Sequence, residues 1–148
     1  MEEDRFDLAT FLPYLLTQAA ETSSLGFQRL YKDRYGMLRT EWRVLFHLGR
    51  YGAMSASEVC RRARIHKTKV SRAVAALERR RFLTRAEDPA DRRLETLSLP
   101  AAGQAAFDDL CREAQSYDAR LAAAFSDEEI ATLRRCLTQL SGGADQRR

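Results

Sequence analysis

The sequence predicts a mainly helical fold of the α+β class, with a two-stranded hairpin near its middle and longer helices at both ends. Two observations predict it. Gly and Pro are few, at 7 and 3 of 148 residues, which favours long helices. Apolar residues recur at helical spacing except around Asp88-Pro89, where a short strand-like segment lies on either side. We therefore expect a central unit at residues 37–100 and helical regions at residues 1–36 and 101–148.

The N-terminal segment, from about Asp7 to Tyr35, is predicted to form one long helix that residues 22–26 weaken in the middle. Gly36 ends this segment. Thr40 is the predicted N-cap of a second helix, which runs from Glu41 to about Arg50.

Two short helices joined by a turn are predicted next. Ser55 and Glu58 have the spacing of a capping box at the start of the first helix. Residues 64–66 form the turn, and the second helix extends from His66 to about Arg80. Its inward face has apolar residues at helical spacing: Val70, Ala73, Val74 and Leu77. This arrangement is typical of a helix-turn-helix.

A β-hairpin is predicted directly after these helices. Its strands are residues 82–87 and 94–99, and Pro89 suits the second position of the turn between them. A hairpin in this place is a wing, so the central unit is predicted to be a winged helix-turn-helix.

The C-terminal region is predicted to contain two helices with apolar stripes. The first extends from about Ala101 to Phe125, and its stripe steps alternately by three and four residues, as in a coiled coil: Phe107, Leu110, Ala114, Tyr117, Leu121 and Ala124. Ser126 and Glu129 form a second capping box before the last helix, whose stripe is Ile130, Leu133, Leu137 and Leu140. We expect the terminal helices to form a dimerisation region, with a monomeric helical bundle as the alternative.

The charge is concentrated in one block. Residues 61–93 hold twelve Lys or Arg and four Asp or Glu, a net of +8, while the rest of the chain has a net of −4. A basic block of this kind is typical of a protein that binds nucleic acid, although a solvated charged surface is the plainer interpretation. The sequence has no Gly-rich phosphate loop, GxSxG or HExxH motif, so nothing predicts an enzyme.

The second helix of the helix-turn-helix is predicted to enter the major groove of double-stranded DNA. Its outward face combines small hydrogen-bonding residues with long cations near the N-terminal end: Lys67, Thr68, Lys69, Ser71 and Arg72. At the wing tip, Arg92 and Arg93 would reach a minor groove, and Asp91 would hold one of them through a bidentate pair. The remaining arginines of the block are expected to contact phosphates or to contribute to the general field: Arg61, Arg62, Arg64, Arg79, Arg80, Arg81 and Arg85.

Several stretches resemble the MarR family of bacterial regulators. They are Glu41-Trp42-Arg43-Val44-Leu45, Val70-Ser71-Arg72, Leu77-Glu78, Leu83-Thr84-Arg85 and Asp88-Pro89-Ala90-Asp91-Arg92-Arg93. The resemblance implies a homodimer on a near-palindromic operator, acting more often as a repressor than as an activator. Carried onto this chain, it implies base or phosphate contacts for Thr68, Ser71 and Arg72, a minor-groove contact for Arg93, and an orienting role for Asp91.

The sequence departs from the family pattern at two positions. Arg81 stands where a Gly commonly ends the recognition helix in a left-handed conformation, which would cost about 1 kcal/mol if that conformation is kept. Pro100 replaces a Thr before the helix that follows the wing, so the hydroxyl cap is lost.

A small-molecule effector, such as a phenol or an aromatic acid, is a further expectation from the resemblance. The residues proposed for its pocket are Tyr14, Ser24, Arg43 and His47, although His47 could equally be an ordinary half-exposed residue. The alternatives are a redox sensor using Cys60, which lies among arginines, and an architectural protein that binds DNA without regard to sequence.

No cofactor or metal is expected, because the spacing of the Cys and His residues fits no zinc site. The three cysteines also predict no disulfide framework. The acidic N-terminus lacks the features of a signal peptide, and no apolar run reaches the roughly 18 residues of a membrane span. We therefore expect a cytoplasmic protein without membrane contact.

Overall fold

The computed structural model describes residues 5–91 and 93–143. After a single 3₁₀ turn at Leu8–Thr10, its elements follow in the order α1 (Leu12–Tyr35), α2 (Arg39–Tyr51), α3 (Ala56–Ala63), α4 (Lys67–Arg79), β1 (Thr84–Glu87), β2 (Glu95–Ser98), α5 (Ala101–Ala122) and α6 (Asp127–Leu140). This is the predicted α+β order, with a winged helix-turn-helix formed by α2, α3, α4 and the two strands.

The start of α2 differs from the sequence-based prediction. Leu38 is the N-cap and the helix begins at Arg39, so Thr40 lies inside the first turn and does not cap it. The carboxylate of Glu41 instead accepts a hydrogen bond from the backbone N–H of Leu38. Glu41 is itself buried, so this bond satisfies a charged group as well as a helix end.

The capping box predicted for α3 is only half formed. The Ser55 hydroxyl accepts a hydrogen bond from the Glu58 N–H at 3.2 Å, as expected. The Glu58 carboxylate does not return to the cap, however, because it pairs with Arg61 and Arg62 on the next turn. The box predicted for α6 is complete: Ser126 and Glu129 each accept from the other's backbone N–H.

Helix α4 has the predicted apolar face. Its four inward residues, Val70, Ala73, Val74 and Leu77, are all buried. They pack in one core with residues of α2, α3, β2 and α5, including Val44, Leu45, Val59, Leu97 and Leu110. Because this face is fixed against the core, the opposite face of α4 must point to solvent.

The wing is joined to the helix-turn-helix by a contact that the sequence pattern did not predict. Strands β1 and β2 pair antiparallel, with Thr84 opposite Ser98. Met54, just before α3, forms an isolated antiparallel bridge with Leu97, and their backbone groups exchange bonds of 3.1 and 2.8 Å. The bridge adds a third segment, one residue long, to the two-stranded sheet and fixes the wing beside α3.

The apolar stripe of α5 is divided between two environments. Phe107 and Leu110, in its first half, are buried in the core of the winged helix-turn-helix, whereas Leu121 near its end is exposed. Ala124 lies beyond the end of the helix. Gly103 permits the close approach of this first half, since a Cβ there would overlap the backbone carbonyl of Phe82.

The terminal helices expose much of their apolar surface. The exposed large side chains include Leu12 and Leu15 of α1, Phe125 after α5, and Leu133, Leu137 and Leu140 of α6. Helix α6 is held to α5 by an ion pair between Arg134 and Asp118 at 2.7 Å.

Candidate nucleic-acid interface

The outward face of α4 consists of Lys67, Thr68, Lys69, Ser71 and Arg72, which we call the recognition face. All five residues are exposed. Within the part of the chain that the structure describes, none of their side chains forms a hydrogen bond or an ion pair. The donors and acceptors of the recognition face are therefore available to an external partner.

The start of α4 is held by a local cap that the sequence pattern did not assign. His66 is the N-cap rather than the first helical residue, and its Nδ1 accepts a hydrogen bond from the backbone N–H of Thr68 at 3.2 Å. Thr68 is thus tied by its backbone while its hydroxyl projects outward. The first turn of a helix also presents free N–H groups and the positive end of the helix dipole, which favour a phosphate.

The wing tip, residues 88–94 between β1 and β2, is shaped by hydrogen bonds between its own residues. The carboxylates of Asp88 and Asp91 accept from the backbone N–H groups of Ala90 and Arg93, at 2.8 and 3.0 Å. The carbonyl of Asp91 accepts from the N–H of Leu94 at 3.0 Å.

The bond to the Arg93 backbone differs from the expected role of Asp91. Among the described residues Asp91 forms no ion pair with the guanidinium of Arg93, so it orients the loop and not that side chain. The side chain of Arg93 is exposed at the tip. Arg92, the other predicted wing arginine, lies outside the described residues.

Arg85, one of the expected phosphate contacts, forms two ion pairs within the protein. It pairs with Glu78 of α4 at 3.3 Å and with Glu95 of β2 at 3.4 Å. It therefore joins the recognition helix to both strands of the wing. The sequence contains the three residues, but only the hairpin register brings Glu95 close to Arg85.

Other arginines of the basic block also bind groups of the protein itself. Arg61 and Arg62 pair with Glu58, while Arg64 and Arg80 donate to backbone carbonyls outside the winged helix-turn-helix. Arg79 and Arg81 are exposed. Most of the positive charge of the block remains, because Arg61 and Arg62 share one carboxylate and the carbonyls bound by Arg64 and Arg80 are uncharged.

Of the residues proposed for an effector pocket, Arg43 and His47 lie together on α2. The Arg43 guanidinium donates to the carbonyl of Ala63, the last residue of α3, and is partly buried. Burial, followed by the nearby charge of Arg39, lowers the pKa of Arg43. Nδ1 of His47 lies 2.7 Å from the Arg43 carbonyl one turn earlier. This contact favours the interpretation of His47 as a satisfied half-exposed residue.

Tyr14 and Ser24 are not brought into the same place. Both lie on α1, but ten residues separate them, which is about 15 Å along a helix. The Ser24 hydroxyl donates to the Glu21 carbonyl of its own helix at 3.1 Å, and Tyr14 is exposed. One small ligand cannot contact both residues on the same copy of α1.

The three cysteines are free thiols in different settings. Cys60 is half-buried against the core, and its neighbours Arg61 and Arg62 are directed toward Glu58. Burial, and then the charge of Asp108, raises the pKa of the Cys111 thiol. Cys136 is exposed on α6. Two of the arginines that the redox alternative places near Cys60 are therefore paired with a carboxylate.

Residues 5–91 and 93–143 contain no group of three Cys, His, Asp or Glu residues that could hold a metal ion. Within the same ranges, no helix combines the length and the apolar character that crossing a bilayer requires.

The comparisons with known proteins agree with this geometry. A model of the MarR family matches residues 35–94, which include α2, α3, α4 and β1 and end directly before β2. No curated protein matches the chain. Among solved structures, a probable transcriptional regulator from Pseudomonas aeruginosa is 26% identical, with a TM-score of 0.78 over 90% of this chain and 99% of that one.

Two further solved structures share the fold at lower identity. Bordetella bronchiseptica BpsR, whose DNA binding is regulated by 6-hydroxynicotinic acid, is 23% identical with a TM-score of 0.83, over 93% of this chain and 97% of that one. S. aureus MepR, solved as a complex with DNA, is 16% identical with a TM-score of 0.78, over 89% and 97%. The family model over residues 35–94 and the fold shared over nearly the whole chain show that this protein is similar to the MarR family of transcriptional regulators.

Proposed function

We propose that this protein is a sequence-specific transcriptional repressor that binds a near-palindromic operator as a homodimer and leaves it when a small aromatic acid binds. The observation that carries the proposal is the recognition face of α4. It combines short hydroxyl side chains with long cations on a helix whose other face is locked in the core. Such a face allows close approach to base edges in the major groove.

The charge and the fold support DNA as the partner. The basic block surrounds α4 and the wing, where a phosphate backbone would lie. MepR, which shares this fold, has been solved in complex with DNA. The exposure of Arg93 at the wing tip supports a further contact in an adjacent minor groove.

The exposed stripes of the terminal helices support a homodimer. Leu133, Leu137 and Leu140 form a continuous apolar face on α6, and α1 exposes Leu12 and Leu15. Contiguous apolar surface of this kind usually marks an interface. A second copy presents the same surface, so a twofold dimer would bury the apolar stripes of both copies against each other.

Substitution of the recognition face tests the DNA proposal. We expect Arg72→Ala to abolish the preference for the best duplex from a random pool, because a direct base contact is lost. Arg93→Ala should weaken binding to that duplex by about 1–3 kcal/mol through loss of the minor-groove contact. Titration at two salt concentrations measures both effects.

Arg112→Ala is the matched control, since Arg112 is an exposed arginine on α5 away from the recognition face. Parent-like binding by all three variants would show that DNA does not contact this surface.

The proposed effector site centres on Arg43. Its guanidinium is partly desolvated, so a carboxylate would be a favourable partner there. Its present bond is to the last carbonyl of α3, directly before the turn that leads to α4. A bound acid that drew Arg43 away from Ala63 would therefore loosen α3 against α2. BpsR, which shares the fold, responds to an aromatic acid.

The effector proposal is tested with hydroxynicotinic and hydroxybenzoic acids added to the protein–DNA complex. We expect at least one acid to release the parent from DNA, and Arg43→Gln to bind DNA but resist release. Arg50→Gln, on the same helix, should respond as the parent does. Release of Arg43→Gln at the parental acid concentration would exclude Arg43 as the site.

A further inference from the structure

Two arginines lie at either end of the recognition helix and reach two of the terminal helices, α1 and α6. Arg64 lies in the turn before α4, and Arg80 is the C-cap of α4. Each guanidinium donates to a backbone carbonyl at the C-terminal end of another helix. We call these contacts the two arginine links.

The link from Arg80 closes on the end of α1. Nη1 of Arg80 lies 3.3 Å from the carbonyl oxygen of Tyr35 and also donates to the carbonyl of Gly36. Gly36 has a left-handed conformation, with φ of 64°. A Cβ at this glycine would stand 3.1 Å from the same Nη1, so the absence of a side chain provides the space for the arginine.

The link from Arg64 repeats this arrangement on α6. Nη1 of Arg64 donates to the carbonyl of Ser141, the C-cap of α6, at 2.7 Å. The next residue, Gly142, also has a positive φ, of 90°. A Cβ there would lie 3.4 Å from Nη2 of Arg64. The same combination of a helix end, a glycine and an arginine thus occurs twice.

Elementary electrostatics favours both links. The last carbonyls of a helix have no partner within the helix and carry the negative end of its dipole, so a guanidinium is a suitable cap. Arg64 makes its contact from a left-handed conformation, with φ of 54°, where Gly or Asn is normally preferred. The backbone cost of an arginine at this turn is offset by a contact that glycine cannot make.

We propose that Arg64 and Arg80 are positioning residues that set the distance between the two α4 helices of the dimer, and hence the spacing of operator half-sites. The inference rests on the proposed dimer. Helices α1 and α6 carry the exposed apolar stripes that a second copy would cover. Fixing both ends of α4 to these helices therefore fixes α4 relative to the dimer axis, which determines the half-site spacing.

The test uses duplexes in which two copies of the selected half-site are separated by spacers that differ by single base pairs, together with an isolated half-site. We expect the parent to prefer one spacer by about tenfold over its neighbours. Arg64→Ala and Arg80→Ala should each flatten this preference, and the double variant more so, while binding to the isolated half-site is unchanged. Arg112→Ala should keep the parental preference.

A phosphate-contact role for these arginines predicts a different result. Loss of a phosphate contact would weaken binding to every duplex alike and reduce the salt slope by about one for each arginine, with the spacer preference intact. That result would overturn the inference about the links but not the proposed dimeric operator. So would variants whose spacer preference equals that of the parent. Absence of any spacer preference in the parent would overturn the dimeric operator as well.

Hydrogen exchange of the free protein gives a second measurement that does not depend on DNA. Arg80→Ala should speed exchange at residues 36–41, beside the end of α1, and Arg64→Ala at residues 138–143, at the end of α6. Unchanged exchange at both places would show that the links do not hold these helix ends, which also overturns the inference.

Discussion

At the scale of single residues, the burial of one face of α4 determines what the other face can do. Val70 and Leu77 are fully enclosed in the core. Rotation of the helix about its axis would expose them, at a cost of about 1.5–3 kcal/mol for each side chain. Ser71 and Arg72 therefore hold a fixed direction before any DNA binds, so little ordering is required of the helix on binding.

Arg81 shows the cost of a non-glycine residue at a left-handed position. Its φ is 63°, and it ends α4 in a Schellman motif: its N–H donates to the Glu78 carbonyl, and the N–H of Phe82 donates to that of Leu77. We expect Arg81→Gly to raise the free energy of unfolding by about 1 kcal/mol, because glycine adopts this conformation without a Cβ clash. Urea denaturation measures the change.

Arg81→Ala is the control for that substitution, since it removes the side chain but keeps the Cβ. It should leave the free energy of unfolding near that of the parent. If the alanine variant were stabilised as much as the glycine variant, the side-chain charge would be the cause and not the backbone.

At the scale of the elements, a polar cluster joins the end of α1 to α5. The Tyr35 hydroxyl donates to a carboxylate oxygen of Asp109 at 2.5 Å, and Arg34 donates to the same oxygen at 2.8 Å. The bonds to Tyr35 and Arg34 lower the pKa of Asp109. Burial and the bond to Asp109 raise the pKa of Tyr35 from 10.0 to about 12.

These shifts predict how stability depends on pH. The contribution of Asp109 is present above the ordinary pKa of an aspartate and is lost as the pH falls through its lowered pKa. The contribution of Tyr35 is complete below pH 10.0 and is lost as the pH rises through about 12. Tyr35→Phe should cost about 1 kcal/mol at neutral pH, the value of one hydrogen bond, and remove the part of the alkaline loss that Tyr35 causes.

Urea denaturation across the pH range checks this prediction, with Tyr51→Phe as the control. Tyr51 is exposed, and its hydroxyl makes no hydrogen bond to another described residue. Identical pH profiles for the parent and Tyr35→Phe would mean that the cluster does not couple α1 to α5.

The elements also show which structural features the sequence could predict. Caps that depend on neighbours along the chain were predicted correctly at Ser126 and in part at Ser55, because spacing alone places the hydroxyl over the free N–H groups. Thr40 was wrong because the buried Glu41 satisfies the helix start in its place. The bridge from Met54 to Leu97 was not predicted, since it joins segments that are distant in sequence.

In the candidate interface too, the features set by local sequence were predicted, and those set by tertiary contacts were not. The directions of the five recognition-face residues were predicted from the apolar period of α4, which is a local pattern. The partners of Arg64, Arg80 and Arg85 were not, because each lies on an element that only tertiary folding brings near. The sequence alone does not distinguish arginines that would contact a ligand from arginines that bind other groups of the protein.

At the scale of the whole molecule, the winged helix-turn-helix has a buried apolar core, whereas the terminal helices expose apolar side chains. The first half of α5 belongs to the winged helix-turn-helix, where Phe107 and Leu110 are buried. The end of α5 and most of the α6 stripe are exposed, including Leu121 and Leu137, whereas Ile130 is half-buried. Two copies joined through these stripes would present two recognition faces to one duplex, which is why a palindrome is the expected target.

Selection from a random pool of duplexes with the purified protein, followed by titration of the best site against random duplex, tests this account most directly. We predict a motif with two inverted half-sites about one helical turn apart, preferred over random duplex by roughly 10³-fold or more at physiological salt. If no motif emerged, and every duplex bound with the same steep salt dependence, the protein would bind DNA without regard to sequence and the central claim would be wrong.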